Sequence, residues 1–303
     1  MQLNSIPYNN YRMKPFKRIL IALDFSETDE TLLKYAAGWC DHFEPEHVYF
    51  LNVQKNLAVP EKLAKYLTSD NKPLDEELRN QMEKKIIECF PFFKKYHYEF
   101  DVIEGNPRDS ISHWTKVKDI DLLFTGVKEE TKGRGILPQQ LLRNVKCSVL
   151  FIPEKASFSL KSICVPVKLG SQKDVQLDLA IDLVENGGTV VASHFYSIPS
   201  SYHMIGGTGM LLDSIKEESE MELDELIAGI EKRDKQYSVV KALDSVVDFS
   251  LTGAIEKNSR AHNCDLIVML AGRKSMIETF LIGSETEAMV KKNKEFTLLI
   301  YKN

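Results

Sequence analysis

Two stretches of the chain carry residue types and spacings suited to holding an anion. Gly283-Ser284 stands directly ahead of a helical pattern, and Gly272-Arg273 lies upstream with ten residues between the two glycines. Glycine lets a backbone close on a phosphate and donate its N–H groups, and the unpaired N–H groups at a helix start favour negative charge. Lys168 follows an apolar run and could add positive charge to the same place. Earlier, Asp24 and Ser26 follow a second apolar run, Ile19 to Leu23, and Gly126, Gly133 and Gly135 mark another loop. That loop also holds Glu129 and Glu130, whose charges would repel a phosphate.

Other constellations are weaker. Gly206-Gly207-Thr208-Gly209 resembles a phosphate nest but lacks the Gly-Lys-Ser/Thr ending of a P-loop, and it reads as a loop. His194 and His203 read as structural imidazoles, and His42 and His47 have no third ligand at metal spacing. Glu217, Glu218, Glu220, Glu222, Asp224 and Glu225 read as a solvated helix face. No Gly-x-Ser-x-Gly elbow, zinc-protease helix or acid–base pair stands out. The cysteines (Cys40, Cys89, Cys147, Cys164, Cys264) are odd in number, lack CxxC spacing and lie in apolar stretches. They read as buried reduced thiols.

The elements that would position these residues alternate between strand and helix. Ile19 to Leu23 reads as a strand, followed by a helix that Ser26 would cap, with Leu32, Leu33, Ala36, Ala37 and Cys40 as its apolar face. Strands follow at His47–Val53, His97–Glu104, Asp121–Thr125 and Ser148–Pro153, with helices between them. Asn106-Pro107 forms a cap and first-turn proline. The same order returns about 144 residues later: Phe16–Asp24 as Leu160–Lys168, and Asp121–Phe124 as Asp265–Val268. A repeat this long is a domain duplication rather than a solenoid. Alternating strands and helices predict parallel sheets covered on both faces, with ligands beyond the carboxyl ends of the strands. The expectation is therefore two doubly wound, open five-stranded parallel sheets of order 3-2-1-4-5, spanning 16–154 and 160–303. The linker Glu154–Ser157 is too short for free motion, so the halves should pack as a pseudo-dimer.

The motifs that recur in both halves resemble those of the universal stress protein family. Leu23-Asp24-Phe25-Ser26 is similar to that family's first-strand signature, and Val102 to Pro107 to its third-strand exit. Asp121 to Gly126 and Cys147 to Pro153 are similar to its last two strands. The chain is identified by these as a tandem member. The resemblance implies last-strand pairing through Ser148–Pro153 and Phe296–Tyr301. It also implies, for members that bind ATP, a Gly-x2-Gly-x9-Gly-Ser/Thr loop and an acidic acceptor for the adenosine part. Neither half has the full set. The first keeps Asp24 and Gly126, has Glu129 at the second glycine, and has a loop about five residues shorter than the other. The second keeps Gly272-Arg273 and Gly283-Ser284 but has Leu270 or Ala271 at the first glycine and Lys168 at the acidic position.

Composition sets the bounds. With 303 residues, 43% hydrophobic and 27% charged, the chain suits two ordinary domains. A net charge of −5 and no basic stripe argue against nucleic acid, and the apolar runs are too short to cross a membrane. The polar start, Met1 to Lys14, lacks a signal core, so a cytoplasmic location is expected. The expected function is stress-response binding or regulation, with ATP or another phosphate-bearing ligand as the cofactor. The alternatives are a slow ATP hydrolase and an apo scaffold or binder of a non-nucleotide small molecule. Partners are intramolecular, with a homodimer as a further expectation.

Overall fold

The computed structural model describes residues 16–58, 73–128, 137–170, 174–196, 208–230, 232–245, 250–271 and 284–302. The first half runs β1 (Arg18–Leu23), α1 (Thr28–Phe43), β2 (His47–Gln54), α2 (Leu74–Cys89), β3 (His97–Glu104), α3 (Pro107–Val117), β4 (Leu122–Val127), α4 (Leu137–Asn144) and β5 (Ser148–Pro153). The second runs β6 (Ser162–Pro166), α5 (Val175–Leu183), β7 (Gly188–Tyr196), α6 (Thr208–Ala228), β8 (Tyr237–Ser245), α7 (Leu251–Ala261), β9 (Leu266–Leu270), α8 (Ser284–Lys292) and β10 (Thr297–Tyr301). Thr208 and Gly209 therefore open α6 rather than lying in a loop.

The strands form one sheet, ordered β3-β2-β1-β4-β5-β10-β9-β6-β7-β8. This corrects the expectation of two separate sheets. Each half contributes strands in the expected 3-2-1-4-5 order, all parallel, but β5 and β10 pair antiparallel at the centre. Leu150 faces Leu299, with Val149 against Ile300 and Phe151 against Leu298. The physical reason is that both strands are short, almost wholly buried and apolar, and an unpaired apolar edge leaves a row of backbone donors and acceptors unsatisfied. Joining the edges satisfies both rows.

Alternation along each strand divides the side chains between two cores. Ile19, Ile21 and Leu23 face one core with α1, α2, α5 and α6, whereas Leu20 faces the other with α3, α4, α7 and α8. The linker is pinned to α1. Thr31 Oγ1 donates to the Glu154 carbonyl at 2.8 Å, and Phe158 packs edge-on to Tyr35 at 5.4 Å.

The duplication is repeated in hydrogen bonds. Asp121 accepts from the N–H groups of Lys17 and Arg18, both at 2.9 Å. Asp265 accepts from those of Lys161 and Ser162 at 2.9 and 3.0 Å. At the foot of β4 and β9, Ile120 N–H donates to Thr115 and Cys264 N–H donates to Ser259. These matching bonds fix residue-by-residue equivalence between the halves.

Candidate functional site

In the first half, the exit of β1 is an unusually constrained turn. Phe25 has φ of 61°, a left-handed conformation that a bulky residue rarely adopts. The Asp29 carboxylate holds it by accepting from Asp24 N–H at 3.1 Å and Phe25 N–H at 2.8 Å. Asp29 is 3% exposed, and burial raises its pKa to about 6 despite those two bonds. Ser26 was expected to cap α1 with its hydroxyl, and it does not. The preceding-residue position is taken by Glu27 in helical geometry with no side-chain cap. The Ser26 carbonyl instead accepts from Asp29 N–H at 3.2 Å and from Lys85 Nζ at 2.9 Å. The Asp29 and Glu30 N–H groups are taken by the Ser26 and Glu27 carbonyls, and the Ser26 hydroxyl is buried without a partner among the described residues.

Asp24 stands at the predicted place but is already engaged. Its Oδ1 accepts from Ser26 N–H at 3.1 Å, and its Oδ2 pairs with Lys128 Nζ at 2.7 Å. Burial pushes the Asp24 carboxyl up, but Lys128 and Ser26 outweigh it and hold it below the usual carboxylate range. Gly126 lies on β4, and a Cβ there would stand 2.9 Å from Thr28 Cγ2. Close approach of α1 to the sheet therefore accounts for this glycine without a ligand. Gly133, Gly135, Glu129 and Glu130 lie outside the described residues.

The second half rebuilds the turn with different groups. Asp174 caps α5, accepting from Gln176 and Leu177 N–H at 3.0 and 3.1 Å. The Lys168 backbone favours its ionised form, as the Asp24 backbone does for Asp29, although Asp174 precedes its helix and Asp29 lies within α1. Burial is the main influence on Asp174 and raises its pKa. Gln176 bridges the two strand exits: Nε2 donates to the Pro166 carbonyl at 2.5 Å, and Oε1 accepts Leu270 N–H at 2.9 Å. His194 Nδ1 lies 3.2 Å from the Val167 carbonyl, where in the first half Asn52 Nδ2 donates to Leu23 at 2.9 Å. His194 is thus tied to the backbone, as a structural imidazole would be.

Lys168 is exposed at the β6 exit and makes no ion pair among the described residues. Ser284 is the first residue of α8, also exposed, and its hydroxyl donates to Glu285 at 3.0 Å. Glu287 in the same turn pairs with Arg143 of α4. Gly272, Arg273 and Gly283 lie outside the described residues, as do His203 and Gly206-Gly207. Sequence reasoning missed Asp174, Gln176 and Lys128. The Asp-x-Gln start of α5 was a visible capping signal.

A separate groove of about 490 Å³ opens at the opposite, amino end of β4 and β5, lined in part by Lys116, Asp121, Lys146 and Lys302. Lys302 is 8% exposed and donates to the carbonyls of Leu142 and Val145, both at 2.6 Å. Burial lowers its pKa to about 8. It caps the last turn of α4, a structural role. Among the described residues no cluster of three metal-ligating side chains occurs, and no helix is long and apolar enough to cross a membrane.

An open α/β sheet built of two equivalent halves defines a class of duplicated doubly wound α/β proteins. The universal stress protein family profile matches residues 15–153 and again 159–295, so the chain belongs to that family, with two copies in tandem. Among solved structures it is similar to a universal stress protein from Archaeoglobus fulgidus, at 16% identity and a TM-score of 0.59, covering 94% of this chain and 96% of that one. It is also similar to a functionally unknown protein from Pseudomonas aeruginosa PAO1, at 14% identity and a TM-score of 0.61, covering 95% and 93%. At these identities the likeness speaks for fold. No curated protein matches the chain.

Proposed function

We propose that this protein is a cytoplasmic stress-response regulator that binds a ligand rather than transforming one. Its units are residues 16–154 and 160–303, and its phosphate-bearing ligand, an adenine nucleotide or a related anion, sits in the second half. The observation that carries this reading is the contrast between Asp24 and Lys168 at equivalent strand exits. Asp24 already holds Lys128 at 2.7 Å, whereas Lys168 is exposed and, among the described residues, unpaired. A phosphate approaching Lys168 meets positive charge, and one that also reaches the start of α8 would gain about 0.3–1 kcal/mol from its open N–H groups and dipole. In the first half it meets Asp24, and Lys128 must give up its partner before it can help.

Calorimetry on the full chain, with ATP and with inorganic tripolyphosphate as probes, tests this. Lys168→Ala should weaken binding by about fivefold, the equivalent of roughly 1 kcal/mol for a partly exposed charge. Gly283→Val should weaken it more by crowding the loop. Lys128→Ala should leave it within about twofold, since a surface ion pair contributes little. Binding that ignores both second-half changes, or that is lost with Lys128→Ala, sinks the assignment.

A further inference from the structure

The two halves differ in charge at the foot of the sheet, around the groove at the amino end of β4 and β5. The matching bonds from Ile120 to Thr115 and from Cys264 to Ser259 make Lys116 of α3 the equivalent of Arg260 of α7. Each lies in the last turn of its helix, where a cation suits the negative end of the dipole. The strand registers supply a second equivalence. Leu122 pairs with Ser148, and its counterpart Leu266 pairs with Thr297. Counted back from those partners, Lys146 stands where Glu295 stands, the second half having one residue more, Lys294, between helix and strand.

In the second half the two positions form an ion pair. Arg260 Nη2 lies 2.6 Å from Glu295 Oε2, and Arg260 Nε lies 2.9 Å from both carboxylate oxygens. In the first half both positions are lysines, and like charges cannot close on one another. Lys116 and Lys146 are exposed, line the groove of about 490 Å³, and make no ion pair among the described residues. The other charges of the groove have local roles. Lys302 is turned to the carbonyls of Leu142 and Val145, and Asp121 accepts from the N–H groups of Lys17 and Arg18. Asp119 occupies a left-handed turn with φ of 51°, as Asn263 does in the second half with φ of 48°, a conformation that favours Asp and Asn. The groove therefore holds two uncommitted cations against one uncommitted acid.

We propose that this groove is a ligand site, separate from the strand exits, that takes a small organic dianion between Lys116 and Lys146. The chemistry is that of a phosphomonoester or a dicarboxylate on a compact ring. Such an anion supplies here the negative charge that Glu295 supplies in the other half. A volume of about 490 Å³ falls in the range of small-molecule sites, about 300–1,000 Å³, and exceeds what a bare phosphate fills. Tyr301 gives the ligand's ring a wall, its own ring standing edge-on to buried Phe16 at 6.4 Å. The second half has no such wall, since the counterpart of Tyr301 there is Ile152, which is fully buried. The lysines belong to the first half and Tyr301 to the second, so a bound dianion touches both sides of the seam.

Calorimetry tests this on the full chain carrying Lys168→Ala, so that the strand exit of the second half contributes nothing and the outcome is independent of it. The probes are phenyl phosphate and phthalate, at a pH where both are dianions. They share a ring and differ in the anion, so the tighter binder names the class. One site per chain is expected. Lys146→Glu installs the second half's residue and lets Lys116 close on it, and it should lower the affinity by at least about tenfold. Lys116→Gln removes one charge without offering a new pair and should lower it by about threefold or more. Asp119→Asn, again the second half's residue, should tighten binding. Both lysines are exposed, so these variants should fold as wild type does. Absence of binding by either probe at millimolar concentration, or an affinity that Lys146→Glu and Lys116→Gln both leave unchanged, overturns the proposal.

Discussion

Gly38 is the position at which a single methyl group should report on how the two halves are held together. It lies in the middle of α1, where glycine is disfavoured against alanine by about 0.5–1 kcal/mol. Judged by helix propensity alone, Gly38→Ala stabilises. The structure predicts the opposite sign. A Cβ at this position would stand 2.6 Å from Cγ and Cδ1 of Phe158 and 2.7 Å from its Cβ, far inside contact distance. Phe158 belongs to the segment joining the halves, and its ring is lodged against Tyr35 at 5.4 Å, His42 at 6.2 Å and Trp39 at 6.5 Å. The clash is with the root of the side chain, which cannot swing away as a flexible tip would. Overpacking of this kind costs about 1–3 kcal/mol. Set against the propensity gain, Gly38→Ala should destabilise by about 1 kcal/mol.

Phe158→Ala removes both the clash and the aromatic contacts, and for a half-buried ring should cost about 2 kcal/mol, below the range for fully buried rings. In that background Gly38→Ala has nothing to meet, and it should stabilise by about 0.5–1 kcal/mol. The sign of one substitution thus reverses with the presence of one ring, a coupling of about 2 kcal/mol between the two sites. Urea unfolding of the four proteins, followed by the fluorescence of Trp39 beside the ring, gives the cycle directly. If Gly38→Ala stabilises equally with and without Phe158, the linker is not seated on α1 as described.

Two further outcomes follow from the strand exits. Asp29 has a folded pKa of about 6 against an ordinary 3.8, so the fold favours its protonated form. That contribution is fully present below about 3.8 and is lost as pH rises through about 6, so wild type should gain on Asp29→Asn by about 2 kcal/mol between pH 7.5 and pH 4.5. A pH-independent difference in urea midpoints would contradict it. Gln176→Leu should destabilise by about 2–4 kcal/mol, because it strips the Pro166 carbonyl and the Leu270 N–H of buried partners at once. Hydrogen exchange at Leu270 should accelerate in the same variant, and unchanged protection there would show that the bridge is not formed.

Much of the fold was legible because the chain states it twice. The offset between Phe16–Asp24 and Leu160–Lys168 and the rhythm of apolar runs and caps gave the element order, and Asn106 caps α3 as read, accepting from Arg108 and Asp109 N–H. What the repeat could not convey was how the two sheets meet. The apolar character of Ser148–Pro153 and Phe296–Tyr301 says that both must be covered, and it is equally met by packing face to face or by pairing edge to edge. The backbone settles it in favour of a single sheet, through hydrogen bonds that every residue can make and that therefore leave no mark in the side chains.

The candidate site was less legible for a related reason. A serine two residues before a helix is a cap by type, but here backbone carbonyls take the first helical N–H groups, and the outcome depends on a turn geometry that includes a left-handed phenylalanine. Lys128, Asp174 and Gln176 act across 104, 6 and 94 residues of sequence, on Asp24, Lys168 and Leu270 respectively. Only the middle one is local enough to be seen as a pattern. The two copies agree where a residue holds the strands together, as Asp121 and Asp265 do, and differ at the strand exits, as Asp24 and Lys168 do. A duplication frees the second kind of position first, because either copy can lose its site while both must keep the fold. The divergence at the strand exits is what the proposed binding role would leave.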